Sequence, residues 1–515
     1  MAIIRSITTV GAMTLLSRVF GFIRDVAIAA TLGAGGMADI FFVAFKLPNL
    51  FRRLFAEGAF NLAFVPIFAT KLERDGKEPA RTFASEALSA LVLVIMIVVM
   101  VFEITMPWVI TVFAPGFVDD PERFNTTVDL ARITFPYLLF ISLVSLLSGV
   151  LNSVGRFWAA AAAPILLNLT LIAAVLMGAP YFATPAHALS WGVFFAGIFQ
   201  LVWLVFIARR AGWGLVLSKP KFTAEVKLLL KRMAPVALGA GIYQINLVID
   251  TIIASLLPAG AISYLFYADR LHQLPVGVVG VAVGTALLPL LSRQISAGQN
   301  EAALASQNRA LEFALLLTLP AAAALVIMPE TILQVLFERG AFDHEATLKT
   351  ASALAVFALG LPAYIFIKAL APGFFSRGDT ATPIKIGALC LVVNLVLNLL
   401  LMKPFQHVGI AAATVSASWV NAGLLAWVLM RRGHFSFDAR FKKHLPRQLG
   451  ATAIMALAIW ALLLMVGEMF SGSIFVQASA LTMVVVVAAV VYAVASIGMG
   501  IISLGELKSL VKKRA

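Results

Sequence analysis

Six strong bases, Arg18, Arg24, Lys46, Arg52, Arg53 and Arg270, stand inside stretches that otherwise read as membrane-crossing segments. A cation at the bilayer centre costs about 2.5–3.5 kcal/mol on insertion scales, so six facing lipid would cost about 15–20 kcal/mol. That exceeds the whole stability of an ordinary fold, about 5–15 kcal/mol. The bases must therefore face one another, nearby acids or a wet internal cavity. The nearby acids (Asp25, Asp39, Glu57 and Asp269) are fewer than the bases. The chemistry implied is anion binding, and guanidinium forks suit phosphate oxygens, which they grip in pairs.

The elements that must carry these residues are helices. Asp39, Phe42, Lys46, Asn49, Arg53 and Glu57 follow one another in steps of three or four, which places them on one stripe. Arg53 and Glu57 are spaced to pair on that stripe. Pro48 lies in the same segment and, lacking an N–H, is expected to kink it near the bases. Arg18 and Arg24 lie about 9 Å apart along a helix axis, with Gly21 between them to admit a close neighbour.

Composition sets the class. Of 515 residues, 61% are hydrophobic and 12% charged, which describes a polytopic membrane protein. The net charge of +14 sits mostly in short loops between apolar runs, so it points to a membrane surface and not to nucleic acid. A single cysteine, Cys390, excludes a disulfide framework. The first residues lack a cleavage site and are not expected to be a removable signal.

Breaks at charge, Pro and Gly clusters give about fourteen spans, among them 8–31, 37–68, 233–257, 382–402 and 408–430. With an even count, Lys and Arg concentrate on one side of every loop pair, which makes both termini cytoplasmic. Arg123 falls in an outside loop, and Arg123→Ala is expected to be tolerated.

Two halves repeat at an offset of 223 to 227 residues. Phe42-Val-Ala-Phe-Lys46-Leu47 matches Phe266-Tyr-Ala-Asp-Arg270-Leu271, Pro66 matches Pro289, Ser153-x-Gly155 resembles Ser376-x-Gly378, and Asn168 stands opposite Asn394. The expected architecture is all-α: two parallel six-helix lobes around a central cavity, plus two extra C-terminal helices. The boundaries are 1–215 for the first lobe, 216–432 for the second and 433–515 for the added pair and tail.

Several runs resemble a known family: Ser17-Arg-Val-Phe-Gly-Phe-Ile-Arg-Asp25, Ala38 through Phe60, Tyr267-Ala-Asp-Arg270 and Ala371 through Pro383. They are similar to those of the MurJ (MviN) lipid II flippases of the multidrug/oligosaccharidyl-lipid/polysaccharide exporter superfamily. The resemblance implies a cargo, the undecaprenyl-diphosphate-linked peptidoglycan precursor, moved to the periplasmic leaflet of the bacterial inner membrane by alternating access. It implies that Arg18, Arg24, Arg52, Arg53 and Arg270 are needed, with Asp39 and Glu57 as partners; Lys46 and Asn49 share their stripe and complete the expected substrate-binding set. It also implies that the last two spans form a groove for the lipid tail. Where the family often carries an acid three residues after the eighth-span Arg, this chain has Gln273. Membrane lipids and cell-wall synthesis proteins are candidate partners.

A second polar group lies deeper in the chain. Asp250, with Asn246 one turn before it, Asn394 and Asn398 on one face, and Thr414 offer oxygen ligands for Na⁺ or a carboxyl for a proton. Hydrogen-bonded packing between helices explains the same residues. No resident cofactor is expected. A flippase for another polyprenyl-diphosphate-linked oligosaccharide shares these features. A drug/cation antiporter would want an acidic cavity, and an enzyme acting on prenyl diphosphates would want clustered acids or a nucleophilic His. No Gly-rich ATP motif appears.

Overall fold

The computed structural model describes residues 2–53 and 60–501 and, within them, all side chains except those of residues 2–7, 234–243 and 281–282. Glu57 and the basic tail beyond Ile501 lie outside the described residues. Among the described residues there is no strand, only one isolated bridge between Arg339 and Phe342.

Contacts divide the chain into two compact units, one of residues 1–263 with 339–342 and one of 264–338 with 343–515. The first contains α1 (Ala2–Leu32), α2 (Gly36–Phe51), α3 (Asn61–Asp75), α4 (Lys77–Phe113), α5 (Pro121–Thr134), α6 (Tyr137–Ser153), α7 (Phe157–Ala173), α8 (Pro185–Arg210) and α9 (Ala224–Ser255). α10 (Ala261–Pro275) straddles the division. The second unit continues with α11 (Val281–Ser296), α12 (Asn300–Ile327), α13 (Pro329–Phe337), α14 (His344–Leu359), α15 (Leu361–Phe375), α16 (Ala381–Arg431), α17 (Ala439–Val466) and α18 (Ile474–Gly498).

In the first unit α1 lies along α7, α7 and α6 flank α8, and α2 packs on α5. α9 packs on α3 and α4, so residues 216–263, expected with the second lobe, make their contacts in the first unit. The ties are specific: Lys71 Nζ donates to Glu225 Oε1 at 2.6 Å, and the Gly116 amide to Ser255 Oγ at 3.3 Å. In the second unit α15 packs on α16 and α12, and α17 joins α12 and α18.

Ten helical stretches of the described residues are long and apolar enough to cross a membrane. Of the fourteen expected, 37–68 and 233–257 run through residues whose side chains are not described, and 8–31 lies on α1, which carries Arg18, Arg24 and Asp25. The expected pair 382–402 and 408–430 forms the single 51-residue α16. That helix reverses at Gln406 (φ 50°, ψ −132°): Asn394 Nδ2 lies 3.3 Å from Thr414 Oγ1, whereas in a straight helix twenty residues span about 30 Å. Gly409 permits the reversal, because a Cβ there would stand 2.3 Å from the Leu401 carbonyl oxygen. α16 is therefore two antiparallel arms.

The repeat reappears in how helices begin and end. Asp120 caps α5 by accepting from the Arg123 amide at 3.1 Å, and Asp343, 223 residues later, caps α14 by accepting from the Ala346 amide at 2.8 Å. α6 ends on Gly155 (φ 77°) with Arg156 N–H bonded to Leu151 O at 2.8 Å. α15 ends likewise on Gly378 (φ 76°), with Asp379 N–H bonded to Phe374 O at 3.1 Å. These are left-handed glycine stops. The backbone takes up π-type geometry at Arg52–Arg53, and again 224 residues later at Val276–Gly280. Such turns gather at functional sites.

Candidate functional site

α2 carries the densest set of expected site residues and is built around a broken hydrogen bond. Pro48 cannot donate to the Ala44 carbonyl, and Thr134 Oγ1 on α5 donates to it instead at 3.0 Å. The helix continues through Leu47 and Pro48, both buried, and presents Lys46, Asn49 and Arg52 at half-buried positions, with Arg53 exposed. Arg52 Nε donates to Asn49 Oδ1 at 3.2 Å, Asn49 Nδ2 to Phe45 O at 3.1 Å, and Lys46 Nζ to Thr251 Oγ1 on α9.

α1 is pinned by Asn168 on α7. Its Nδ2 donates to the Ser17 carbonyl at 2.9 Å, and its Oδ1 accepts from Arg24 Nη1 at 2.9 Å. The close neighbour expected at Gly21 is this same side chain: a Cβ there would stand 3.5 Å from Asn168 Nδ2. Arg24 also gives Nε and Nη2 to Asp25 Oδ1, at 3.0 and 2.7 Å. Arg24 is thus charge-compensated and positioned, while Arg18 is exposed with no ion-pair partner among the described residues.

Asp39 is 1% exposed and accepts from Arg123 Nη2 at 2.9 Å, the Gly260 amide at 2.7 Å and the Ser263 amide at 2.8 Å. Arg123 also stacks on Phe117, its Cζ 3.7 Å from the ring centre. Asp39 therefore ties α2 to α5 and to the start of α10 rather than standing open to a ligand. Arg123, read from sequence as an outside-loop residue, is its half-buried partner on α5. The capping Asp120 three residues earlier was the signal that this loop is ordered.

In the second unit Arg270 lies half-buried with its Cζ 4.6 Å above the Phe266 ring. Beside it, Gln273 Nε2 donates to Asp269 Oδ2, and His272 Nδ1 lies 3.3 Å from Asp269 Oδ1. His272 itself is buried, stacked on Phe357 and close to Tyr364. Gln273 thus orients a carboxylate supplied one turn earlier. Asn398 Nδ2 donates to Asn394 Oδ1 at 3.0 Å and Asn394 to Thr414, so three of the four expected cation ligands meet between the two arms of α16. Asp250 belongs to the first unit, half-buried on α9. Among the described residues no three His, Cys, Asp or Glu side chains group as a metal cluster.

Lys368, exposed in the middle of α15, is a further cation within an expected span that sequence reading did not single out. On the loop after α15, Asp379 accepts from Thr382 Oγ1 at 2.7 Å and Arg432 Nη1 at 2.6 Å. Those bonds hold its carboxyl well below the usual carboxylate range.

A family model described as lipid II flippase MurJ matches residues 28–501. The chain belongs to the MurJ family. A probable lipid II flippase MurJ of Rhizobium meliloti (strain 1021) is 45% identical over 522 residues, covering 100% of this chain and 97% of that one. A solved lipid II flippase MurJ in an inward closed conformation superposes with a TM-score of 0.78 at 25% identity, over 95% of this chain and 98% of that one. An inward-facing multidrug resistance MATE transporter of the MOP superfamily follows at a TM-score of 0.67 and 15% identity, covering 83% of this chain and 98% of that one. The last likeness is one of fold. The protein is a multi-pass membrane protein with the all-α fold of these solved structures.

Proposed function

We propose that this chain flips lipid II, the undecaprenyl-diphosphate-linked peptidoglycan precursor, from the cytoplasmic to the periplasmic leaflet of the bacterial inner membrane. The observation that carries the reading is the match across the whole chain to relatives named for that activity, at up to 45% identity. Physics supports it. A diphosphate needs cations in a wet cleft, whereas its prenyl chain can remain in hydrocarbon, and a cleft that opens to one side at a time removes the cost of carrying charge through lipid. Arg18, Lys46, Arg52, Arg53 and Arg270 are the proposed phosphate ligands, with Arg24 held in place by Asp25 and Asn168.

The precursor leaves chemically unchanged, so the protein is a transporter and not an enzyme. The proposed lobes are 1–215 and 216–432, with residues 216–263 of the second making their contacts in the first compact unit; the added helices of 433–515 shelter the tail, and both termini face the cytoplasm. Na⁺ or H⁺ at Asp250, Asn394, Asn398 and Thr414 is the proposed coupling ion.

The test is depletion of the protein, followed by assay of which leaflet holds labelled precursor. Precursor should accumulate on the cytoplasmic side with unaltered mass. Arg24→Ala and Arg270→Ala should each fail to restore export while inserting normally. Precursor that still reaches the periplasmic leaflet in cells carrying either variant would sink the site assignment, and precursor of altered mass would sink the transporter reading.

A further inference from the structure

Within the second unit an open groove of about 380 Å³ runs between α11 and α15, with Thr285, Lys368 and Phe375 exposed along it, a volume in the range of small-ligand sites. Its wall is apolar, formed by Leu288, Phe375 and the small faces of Gly280 and Gly284, with two polar groups: the Thr285 hydroxyl and the Lys368 ammonium. The lysine stem crosses Gly280 so closely that a Cβ there would stand 2.4 Å from Lys368 Cδ, and the end of the π-type turn is what brings this glycine to it. Beside Gly284 there is open space within 4 Å. Among the described residues the Lys368 ammonium has no hydrogen-bond or ion-pair partner. A cation in a membrane span that has no acid for it, yet is held over an apolar groove, calls for an anion with an apolar body.

We infer that this groove binds the phosphate headgroup of an anionic membrane amphiphile, with Lys368 as the charge that recognises it and Thr285 as a second donor. The chemistry fits two sources: a resident anionic phospholipid, or the prenyl diphosphate of the proposed cargo. Neither the cations of α1 and α2 nor transport itself is required for this binding. Failure here would leave the flippase reading standing, and failure of that reading would leave this site testable.

The experiment uses the full chain in nanodiscs with a photo-crosslinking residue in place of Leu288, which lines the groove. The probes are phosphatidylglycerol, undecaprenyl diphosphate and, as a neutral reference, phosphatidylcholine. Lys368→Gln should weaken capture of both anions about tenfold, the equivalent of one lost charged hydrogen bond, and leave the neutral lipid unchanged. Lys368→Arg should retain capture. Gly284→Leu, which fills the groove and keeps the charge, should abolish it. Competition between the two anions then identifies the source, and preference for either supports the site. Equal capture of anions by the parent chain and Lys368→Gln overturns the proposal, as does undiminished capture in Gly284→Leu.

Discussion

Replacing Arg123 with alanine separates a structural role for Asp39 from a role in binding. In the folded chain the Asp39 carboxylate is 1% exposed and receives three donors, of which Arg123 Nη2 at 2.9 Å brings the only formal charge among them. Breaking a buried pair by removing one partner costs about 3–5 kcal/mol, because the other charge is left without compensation. The Gly260 and Ser263 amides remain and soften that loss, while the cation–π contact with Phe117 adds about 0.5–2 kcal/mol to it. A destabilisation of about 3 kcal/mol follows, and for a unit of this size each kcal/mol lowers the melting temperature by about 2–4 °C. The measurement is thermal unfolding of purified protein for Arg123→Ala, Asp39→Asn and the double variant. The single variants should melt about 6–12 °C early, and the double should lose less than their sum, since the two residues share one interaction. If Arg123→Ala melts with the parent chain, or if Asp39→Asn abolishes transport with no change in melting, Asp39 is a ligand to cargo and the structural reasoning fails.

Two further outcomes follow. Gly409→Ala should open the hairpin of α16, because its Cβ would press to 2.3 Å from the Leu401 carbonyl oxygen; faster hydrogen exchange around residues 401–409 would show it, and unchanged exchange would refute it. Asp379 has a folded-state pKa below its unfolded one, so the stability it contributes is present above the ordinary carboxylate range. That stability is lost as pH falls through the range toward the folded value. Asp379→Asn should therefore melt below the parent at pH 7 and converge with it on acidification, and a difference independent of pH would remove the ion pair with Arg432 from the account.

The span pattern was legible because it rests on hydrophobicity and loop charge, which are local properties of the chain. The reversal of α16 was legible as a break between two spans near Lys403 and Pro404, although the backbone turns through Gln406 without losing helical hydrogen bonding on either side. Partner choice was not legible. Asp39 stands on the same helical stripe as Lys46, yet its partners come from residues 123, 260 and 263, and no periodicity within α2 points to them. Lys368 escaped for the opposite reason: its expected span, 349–374, is otherwise so apolar that one lysine toward its C-terminal end reads as a flanking anchor.

The repeat connects these cases. Its two copies preserve backbone devices, such as Asp caps at 120 and 343, glycine stops at 155 and 378, and π-type turns at 52 and 276, while the side chains set on those devices diverge. Asn168 shows how far the divergence goes. It holds Arg24 and the Ser17 carbonyl, whereas its counterpart Asn394 holds Asn398 and Thr414. One copy uses its amide to position a cation, and the other gathers oxygens. If the proposed assignments hold, one copy's amide positions a cation for the cargo while the other's lies among the oxygens proposed for the coupling ion, and two sites that each take their own ligand are what coupling cargo to an ion requires.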